Sequence, residues 1–221
     1  MYLSRLILNP RNRRVQREIA DPYQMHKTLM RSFPDDIDRD KDRILFRVDA
    51  NPRTGALTVL LQSTIEPRWG WLDDDGARGY LLPVGQPNPA VKSFDLNFAP
   101  GQTLAFRLRA NPTARRRLPD GQRKRVGLCR EEEQKEWLER KAEQGGFRIL
   151  SACTGNQTTV SGWVQQNGTT RKLTWLSVQF DGLLQVTDPA QLRETVQSGI
   201  GSGKGIGFGL LSLARPNPLL S

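Results

Sequence analysis

The sequence contains few of the residues that build metal sites, disulfide frameworks or membrane spans. Its 221 residues include one histidine and two cysteines. Cys129 and Cys153 lie far apart and outside any Cys-x-x-Cys pattern, so the sequence predicts neither a zinc site nor a disulfide framework. No apolar run approaches the roughly 20 residues that span a bilayer, and the opening residues lack the features of a secretory signal. We expect a protein of the reducing cytoplasm that uses no metal, no cofactor and no membrane.

Positive charge is abundant and clustered. The chain has 33 Lys and Arg residues against 23 Asp and Glu residues, a net charge of +10. Residues 107–125 contain eight basic residues and one acidic residue, and the first twenty residues contain five arginines and one glutamate. Clustered arginines make strong, fork-shaped and salt-sensitive contacts with phosphates, which favours a nucleic acid as the partner. The alternative is charge that only keeps the surface soluble.

The first half of the chain predicts a strand, a helix and two further strands. Asp21 and Pro22 form a helix start, an N-cap residue followed by proline at the first helical position. Apolar residues recur every four positions at Met25, Leu29 and Phe33, which predicts one buried stripe on this helix. A basic loop is expected before the helix. The predicted strands are Tyr2–Leu8, Arg43–Val48 and Leu57–Ser63.

The pattern repeats after a segment rich in proline and glycine. We expect an extended edge segment within residues 67–100, with a linker near residues 87–101. An Asn167-Gly168 pair predicts a β-hairpin, and an Asp181-Gly182 pair predicts a second turn. The fold class is therefore predicted as α+β, with two small antiparallel sheets in tandem, each backed by helices. The predicted helices of this half are Arg130–Gln144 and Pro189–Ser198, and its strands are Thr103–Ala110, Phe147–Ser151, Thr158–Gln165, Arg171–Phe180, Leu183–Val186 and Phe208–Leu213.

Any imidazole chemistry in this protein belongs to His26, the single histidine of the chain. A free imidazole titrates at about pH 6.5, which suits it to give and take protons in neutral solution. Tyr23 lies three residues earlier on one helix face, and Lys27 and Arg31 form a row beside it. The group offers a proton-transfer residue, a phenol that could orient a hydroxyl, and cations for a phosphate. The alternative is a surface or hydrogen-bonded histidine without a catalytic role.

A glycine-rich segment at residues 199–209 contains one lysine, Lys204. It does not fit a Walker A motif, because Ser198 stands at the first glycine position and Gly205 follows the lysine. It does not fit a dinucleotide-binding turn, because it lies between a helix and a strand rather than between a strand and a helix. Its backbone amides suit a phosphodiester backbone. The alternative is a glycine loop that is packed tightly for structural reasons.

Two acidic runs could in principle hold a magnesium ion and support a metal-dependent nuclease. The first run is interspersed with basic residues and the second lies in a predicted turn, so we expect both to be solvated loops. The acidic residues are Asp35, Asp36, Asp38, Asp40 and Asp42 in the first run and Asp73, Asp74 and Asp75 in the second.

Four segments of the sequence form a recognisable set. The segments are Tyr2-Leu3-Ser4, Tyr23-Gln24-Met25-His26 with Leu29, Phe106-Arg107-Leu108-Arg109-Ala110-Asn111-Pro112, and the stretch from Gly199-Ile200-Gly201 through Lys204 to Gly209-Leu210-Leu211-Ser212-Leu213-Ala214. Together they resemble the Cas6e (CasE, Cse3) family of CRISPR RNA-processing endonucleases. They keep the order and approximate spacing of the family, and the resemblance runs nearly from end to end.

The resemblance implies a fold and an activity. The fold is two tandem ferredoxin-like (RRM-like) domains: residues 1–90 with the catalytic helix, a linker at 91–101, and residues 102–221 with a β-hairpin and the glycine-rich loop. The activity is metal-independent cleavage of CRISPR repeat stem-loops by attack of the ribose 2′-hydroxyl on the adjacent phosphate. The mature guide RNA then stays bound, with the protein as a subunit of the Cascade complex. A non-catalytic RNA-binding module is the alternative that the residues leave open.

The resemblance also implies roles for individual residues. His26 matches the catalytic histidine of the family, and Tyr23 matches its accompanying tyrosine. Family members grip the RNA stem with a basic β-hairpin in the second domain, and the predicted hairpin at Asn167-Gly168 carries Arg171 and Lys172. The residues expected to contact RNA are Lys27, Arg31, Arg107, Arg109, Arg115, Arg116, Lys124, Arg171, Lys172, Gly201, Ser202, Gly203 and Lys204.

Overall fold

The chain folds into two compact units that combine helices with antiparallel sheets. The computed structural model describes residues 1–38, 41–117, 121–166 and 169–216, and in these ranges all side chains except those of residues 156, 164–166 and 169–171. The first unit comprises Met1–Leu96, Ser161–Leu173 and Lys204–Gly207, and the second comprises Asn97–Val160, Thr174–Gly203 and Phe208–Ser221. In the described part of the chain, no helix combines the length and the apolar character needed to cross a bilayer.

A four-stranded antiparallel sheet forms the centre of the first unit, with the strands in the order Ile44–Ala50 (β2), Leu57–Ser63 (β3), Tyr2–Leu8 (β1) and Ala90–Ser93 (β4). Alternate residues of β1, such as Leu6 and Leu8, point into one core, where they meet Met25 and Leu29. The predicted stripe at Met25, Leu29 and Phe33 is confirmed as buried. The elements are β1 (Tyr2–Leu8), α1 (Arg13–Ala20), α2 (Pro22–Met30), β2 (Ile44–Ala50), β3 (Leu57–Ser63) and β4 (Ala90–Ser93), with short 3-10 helices at Gly70–Asp73 and Asp75–Ala77.

One prediction for the first unit is wrong. The expected basic loop before Asp21 contains the helix α1, which begins after the N-cap Asn12 and buries Val15 and Glu18. The apolar positions of α1 are too few to predict a helix from the sequence. In the folded protein, hydrogen bonds to the buried Glu18 hold this helix in place. The predicted linker at 91–101 begins inside a sheet, because β4 pairs with β1 in register. The domain bounds 1–90 and 102–221 stay a prediction.

The further elements of the chain are β5 (Thr103–Ala110), β6 (Thr113–Arg117), β7 (Arg123–Gly127), α3 (Glu131–Gln144), β8 (Phe147–Gln166), β9 (Thr169–Val186), α4 (Pro189–Ser198) and β10 (Leu211–Ala214), with a 3-10 turn at Lys204–Ile206. A second four-stranded sheet, with strand order β10-β5-β9-β8, forms the centre of the second unit. Trp137 of α3 stacks on Phe180 of β9, with ring centroids 6.2 Å apart, and fixes the helix against the sheet.

Several strand bounds differ from the prediction. The turn predicted at Asp181-Gly182 is wrong, because β9 runs through both residues and pairs them with Arg107 and Phe106 of β5. The two strands predicted at 147–151 and 158–165 are one strand, β8, and the last strand begins at Leu211 rather than at residue 208. The β6–β7 hairpin was not predicted. The predicted Asn167-Gly168 turn lies outside the described residues.

Candidate active site

Helix α2 carries His26 and Tyr23 and is fixed at both its start and its core face. The Asp21 carboxylate caps the first turn by accepting a hydrogen bond from the Tyr23 backbone N–H at 3.2 Å. Met25, Thr28 and Leu29 are buried. Because a helix turns by about 100° per residue, Tyr23, His26 and Met30 share the other side of the helix. The half-buried His26 is therefore presented beside the core rather than within it.

The His26 ring lies among aromatic rings and a close glycine backbone. Its centroid is 6.3 Å from that of Tyr23 and 6.3 Å from that of Phe46, with the Phe46 ring nearly parallel at 15°. A Cβ placed on Gly205 would lie 3.7 Å from Cδ2 and 3.8 Å from Nε2 of His26. Gly207 has φ +86° and approaches Phe46, where a Cβ would lie 3.2 Å from the ring. The loop 204–207 thus lies directly against His26 and Phe46.

A cleft of about 170 Å³ is lined by His26, Lys204 and Gly205 together. It brings the ε-ammonium-bearing Lys204 to the same opening as the imidazole, so a phosphate bound there can meet both a proton-transfer group and a cation. The rest of the lining consists of Met30, Ile37, Asp42, Arg43, Ile44 and Leu45. The structure therefore brings together two residues that the sequence placed far apart, at positions 26 and 204.

Tyr23 and Lys27 form a pair on the exposed side of α2. The Lys27 ammonium lies 4.8 Å from the centroid of the Tyr23 ring, a cation–π distance. Lys27 also lines a groove of about 470 Å³ between α1 and α2. The other basic residues of this groove are Arg14, Arg17 and Arg31. Arg31 is exposed and forms an ion pair with Asp74 at 2.8 Å.

A buried polar cluster supports α2 from behind. The Glu18 carboxylate accepts hydrogen bonds from the Thr28 hydroxyl at 2.5 Å, the Tyr80 hydroxyl at 2.5 Å and Arg14 Nε at 2.9 Å. Burial, and then the Glu18 charge, raise the pKa of Tyr80 far above its usual range. The phenol therefore stays protonated and donates to Glu18, and α1 and α2 are held together by a charged, fully bonded centre.

The residues predicted from the 107–125 window fall into two groups. Arg107 and Arg109 belong to β5 and are engaged within the second unit: Arg107 pairs with Asp181 at 2.5 Å, and Arg109 donates to Ser177 at 2.8 Å while its guanidinium lies 5.6 Å from the Phe208 ring centroid. Arg115, Arg116 and Lys124 lie instead on the β6–β7 hairpin and are exposed.

The basic residues predicted at positions 115, 116 and 124 lie on a β6–β7 hairpin that the sequence analysis did not predict. Its cross-strand partners are Arg115 with Arg125, Arg116 with Lys124, and Arg117 with Arg123. Like charges placed opposite each other destabilise a strand pair, so the arrangement favours a polyanionic partner. Arg116 also forms an ion pair with Glu133 of α3. The sequence Pro119-Asp120-Gly121 between the two basic runs is a turn signal that could have revealed the hairpin.

The remaining predicted contacts have separate settings. Gly201 has φ +80° and packs its backbone on Trp137, where a Cβ would lie 3.1 Å from the ring, and Ser202 accepts a hydrogen bond from Asn111 at 3.4 Å. Gly203 has φ +83°. Lys172 is exposed on β9, and the side chain of Arg171 lies outside the described residues. Tight packing thus accounts for Gly201, whereas Lys204 and Gly205 of the same loop line the His26 cleft.

The acidic runs do not form a ligand cluster in the described part of the chain. No group of three or more His, Cys, Asp and Glu side chains with metal-binding geometry occurs among the described residues, and Asp40 lies outside them. Asp42 accepts a hydrogen bond from Thr64 at 3.3 Å, and Asp74 pairs with Arg31.

Comparison with known proteins identifies the family. The model of a family described as CRISPR associated protein matches residues 1–215. CRISPR-associated endoribonuclease Cse3 of Thermus thermophilus is 37% identical over 97% of this chain and 100% of its own length. The Cascade subunit CasE of Escherichia coli K12 is 31% identical over 97% of this chain and 99% of its own length. A structure of Thermus thermophilus Cse3 bound to an RNA representing a pre-cleavage complex matches with a TM-score of 0.78 and 35% identity, over 97% of this chain and 98% of that one.

These matches run almost the full length of the chain and of its relatives, and they agree with the tandem ferredoxin-like fold predicted from the sequence. The chain belongs to the CRISPR-associated protein family that includes Cse3 and CasE.

Proposed function

We propose that this protein is a metal-independent endoribonuclease that cuts CRISPR repeat stem-loops in a precursor transcript. The observation that carries the proposal is the shared cleft of His26, Lys204 and Gly205, next to Tyr23. The Cse3 relative is named as an endoribonuclease, which supports the same activity here.

The reaction is an internal transesterification, in which the ribose 2′-oxygen replaces the 5′-oxygen on the adjacent phosphorus. The 2′-oxygen loses its proton and attacks the adjacent phosphorus, and the bond from phosphorus to the 5′-oxygen breaks. That 5′-oxygen takes up a proton, and the products are a 2′,3′-cyclic phosphate and a 5′-hydroxyl. The nucleophile belongs to the RNA, so the scheme needs no metal-bound water. His26 transfers one of these protons, Tyr23 orients the reacting groups, and Lys204 neutralises the growing negative charge on the phosphate.

The RNA is held by basic residues away from the cleft. We assign the stem to the β6–β7 hairpin with Arg115, Arg116 and Lys124, whose like-charged cross-strand pairs suit the phosphates of a duplex. We assign Lys27 of α2 and Arg31, the residue that follows this helix, to further phosphates of the RNA through the groove that both of them line. The remaining proposed RNA contacts are the side chains of Arg107, Arg109, Arg171 and Lys172 and the backbone amides of Gly201, Ser202 and Gly203.

The product remains bound after cleavage. The Escherichia coli relative is named as a Cascade subunit, and we extend that role to this protein: it retains the mature guide RNA and joins the other Cascade subunits. We place the activity in the cytoplasm, where the transcript is made.

The decisive experiment uses the repeat RNA of the source genome and a copy with a single 2′-deoxy substitution at the scissile nucleotide. We expect cleavage of the normal RNA in EDTA, equal binding but no cleavage of the deoxy copy, and loss of cleavage with retained binding for His26→Ala. Cleavage of the deoxy copy would contradict the proposed attack, and loss of activity in EDTA would support a metal-dependent nuclease. Binding of the normal RNA without any cleavage would support a non-catalytic module.

A further inference from the structure

The cleft beside His26 is larger and more apolar than a phosphate needs. Beyond His26 and Lys204 its lining includes the apolar residues Met30, Ile37, Ile44 and Leu45. Its volume of about 170 Å³ corresponds to about six water molecules at 30 Å³ each, which is room for one flat heterocyclic ring rather than for a whole nucleotide. A phosphate gains nothing from apolar walls, so this part of the cleft suits a different portion of the RNA.

Attack within the RNA strand requires the backbone to leave its helical shape. The 2′-oxygen, the phosphorus and the departing 5′-oxygen must lie nearly in line, and stacked A-form nucleotides do not hold them so. At least one base next to the scissile phosphate must therefore unstack, and proteins bind such splayed bases in pockets. A base is joined to its phosphate through a single ribose, so a phosphate at His26 and Lys204 leaves the neighbouring base within reach of the apolar walls.

The polar edge of the cleft matches a base as well. Asp42 lines it, and its carboxylate is oriented by a hydrogen bond from Thr64 at 3.3 Å. An ionised carboxylate only accepts hydrogen bonds, so it pairs with the amino group of a base rather than with a carbonyl edge. Arg43, at the same edge, supplies donors.

We propose that this cleft binds one unstacked base that flanks the scissile phosphate, with Met30, Ile37 and Ile44 against its faces and Asp42 accepting from its amino group. The proposal rests on the proposed endoribonuclease function and adds to it a specificity site for a base bearing an exocyclic amino group. Holding the base aligns the strand for attack, so the site acts on the cleavage rate more than on affinity for the stem.

The test is a cycle of protein and RNA changes measured by single-turnover cleavage. Two RNAs each carry an abasic ribose, one immediately before and one immediately after the scissile phosphate. We expect one of the two to be cut about tenfold more slowly by the unmodified protein, the size of one lost hydrogen bond to a charged group with its packing. Asp42→Asn should slow cleavage of the intact RNA similarly and slow that abasic RNA no further. Asp36→Asn, an exposed residue outside the cleft, is the matched control and should leave both rates unchanged.

A second variant is needed because the amide introduced by Asp42→Asn can still accept a hydrogen bond and so leave the cleavage rate unchanged. Ile37→Trp fills the cleft and should slow cleavage of intact RNA while leaving the affected abasic RNA unchanged. Equal rates on both abasic RNAs and the intact RNA, or losses from Asp42→Asn that multiply with the abasic loss, would overturn the base site. Cleavage of intact RNA by the unmodified protein would still stand in that case, whereas failure of the endoribonuclease proposal would abolish cleavage of every RNA in the set.

Discussion

Glu18 is a carboxylate with 4% of its surface exposed, and its three donors come from three separate segments. Removing one donor leaves a buried charge with an unfilled acceptor site, which is costlier than losing an exposed hydrogen bond. Because Thr28 belongs to the helix that carries His26, the position of the imidazole depends on this buried centre.

We predict that Thr28→Val and Tyr80→Phe each lower the free energy of unfolding by about 1–3 kcal/mol, because each removes a short hydrogen bond to buried Glu18. Urea titration measures the change. Tyr2→Phe is the matched control at a half-buried tyrosine, and we expect a change within about 0.5 kcal/mol. Losses as small as that control would mean that Glu18 is satisfied in another way.

Tyr80 also predicts a loss of stability at alkaline pH. Its pKa is raised in the folded protein above the ordinary value of 10.0, so the folded state holds a proton that the unfolded state releases. The stabilising effect is full below pH 10 and is lost as the pH rises above it, by up to about 1.4 kcal/mol per pH unit. Urea titrations from pH 9 to 11 should show a steeper decline for the unmodified protein than for Tyr80→Phe. Parallel declines would contradict the assignment.

The sequence identified the candidate residues His26 and Tyr23 but not the buried contacts that hold their helix in place. His26 could be found because it is the single histidine, and Tyr23 because it lies one helical turn away. Glu18 could not be found in this way, because a glutamate among five arginines is typical of a solvated surface. Only in the folded chain does the loop containing Tyr80 cover it. The glycine-rich segment already suggested Lys204 as a phosphate contact, but its position beside His26 required the folded chain.

Among the elements, β9 shows why one turn prediction failed. Gly182 lies in mid-strand, and a Cβ there would lie 2.0 Å from the Ser151 backbone oxygen. Gly182 permits a close approach of two strands. An Asp-Gly pair is equally typical of a hairpin turn, so the sequence alone does not distinguish these two structures. By contrast β1, β3, β5 and α4 match their predictions in full, because each has a clear period or cap and ordinary turn residues around it.

Gly182→Ala should therefore lower the free energy of unfolding by more than about 2 kcal/mol, because the methyl group displaces a backbone segment rather than a flexible side chain. Gly155→Ala in β8 is the control, since nothing lies within 4 Å of a Cβ there. It should be neutral or slightly stabilising. Thermal unfolding of the two variants separates these outcomes, and equal midpoints would contradict the close approach.

The β6–β7 hairpin predicts opposite effects on stability and on RNA binding. Replacing Arg123, Lys124 and Arg125 with Gln removes three like-charged cross-strand pairs, each costing roughly 0.2–1 kcal/mol. Amide hydrogen exchange in the hairpin should become about threefold to tenfold slower at low salt, with a smaller gain at high salt, while affinity for the repeat RNA falls. Faster exchange in the variant would mean that these side chains stabilise the strand pair.

For the whole molecule, the net charge of +10 predicts a polyanionic partner but does not say which surface meets it. The fold resolves part of this question, since it divides the window 107–125 between arginines of β5 that are bonded to residues of β9 and an exposed hairpin. The tandem arrangement of sheets followed from repeating periods in the sequence. The sequence does not show which arginines form ion pairs, because pairs such as Arg107 with Asp181 join residues far apart in the chain.

Two variants with equal net charge distinguish RNA binding by a specific contact surface from RNA binding by the net charge of the protein. The first replaces Arg123, Lys124 and Arg125 with Gln, and the second replaces the exposed Arg53, Arg68 and Arg140 with Gln. Each phosphate contact contributes about 0.7–0.9 to the slope of log affinity against log salt, so the hairpin variant should have a slope shallower by about two. The second variant should keep the original slope, because long-range attraction is screened within about 10 Å at 0.1 M salt. Equal slope changes in both variants would mean that net charge, and not the hairpin, governs RNA binding.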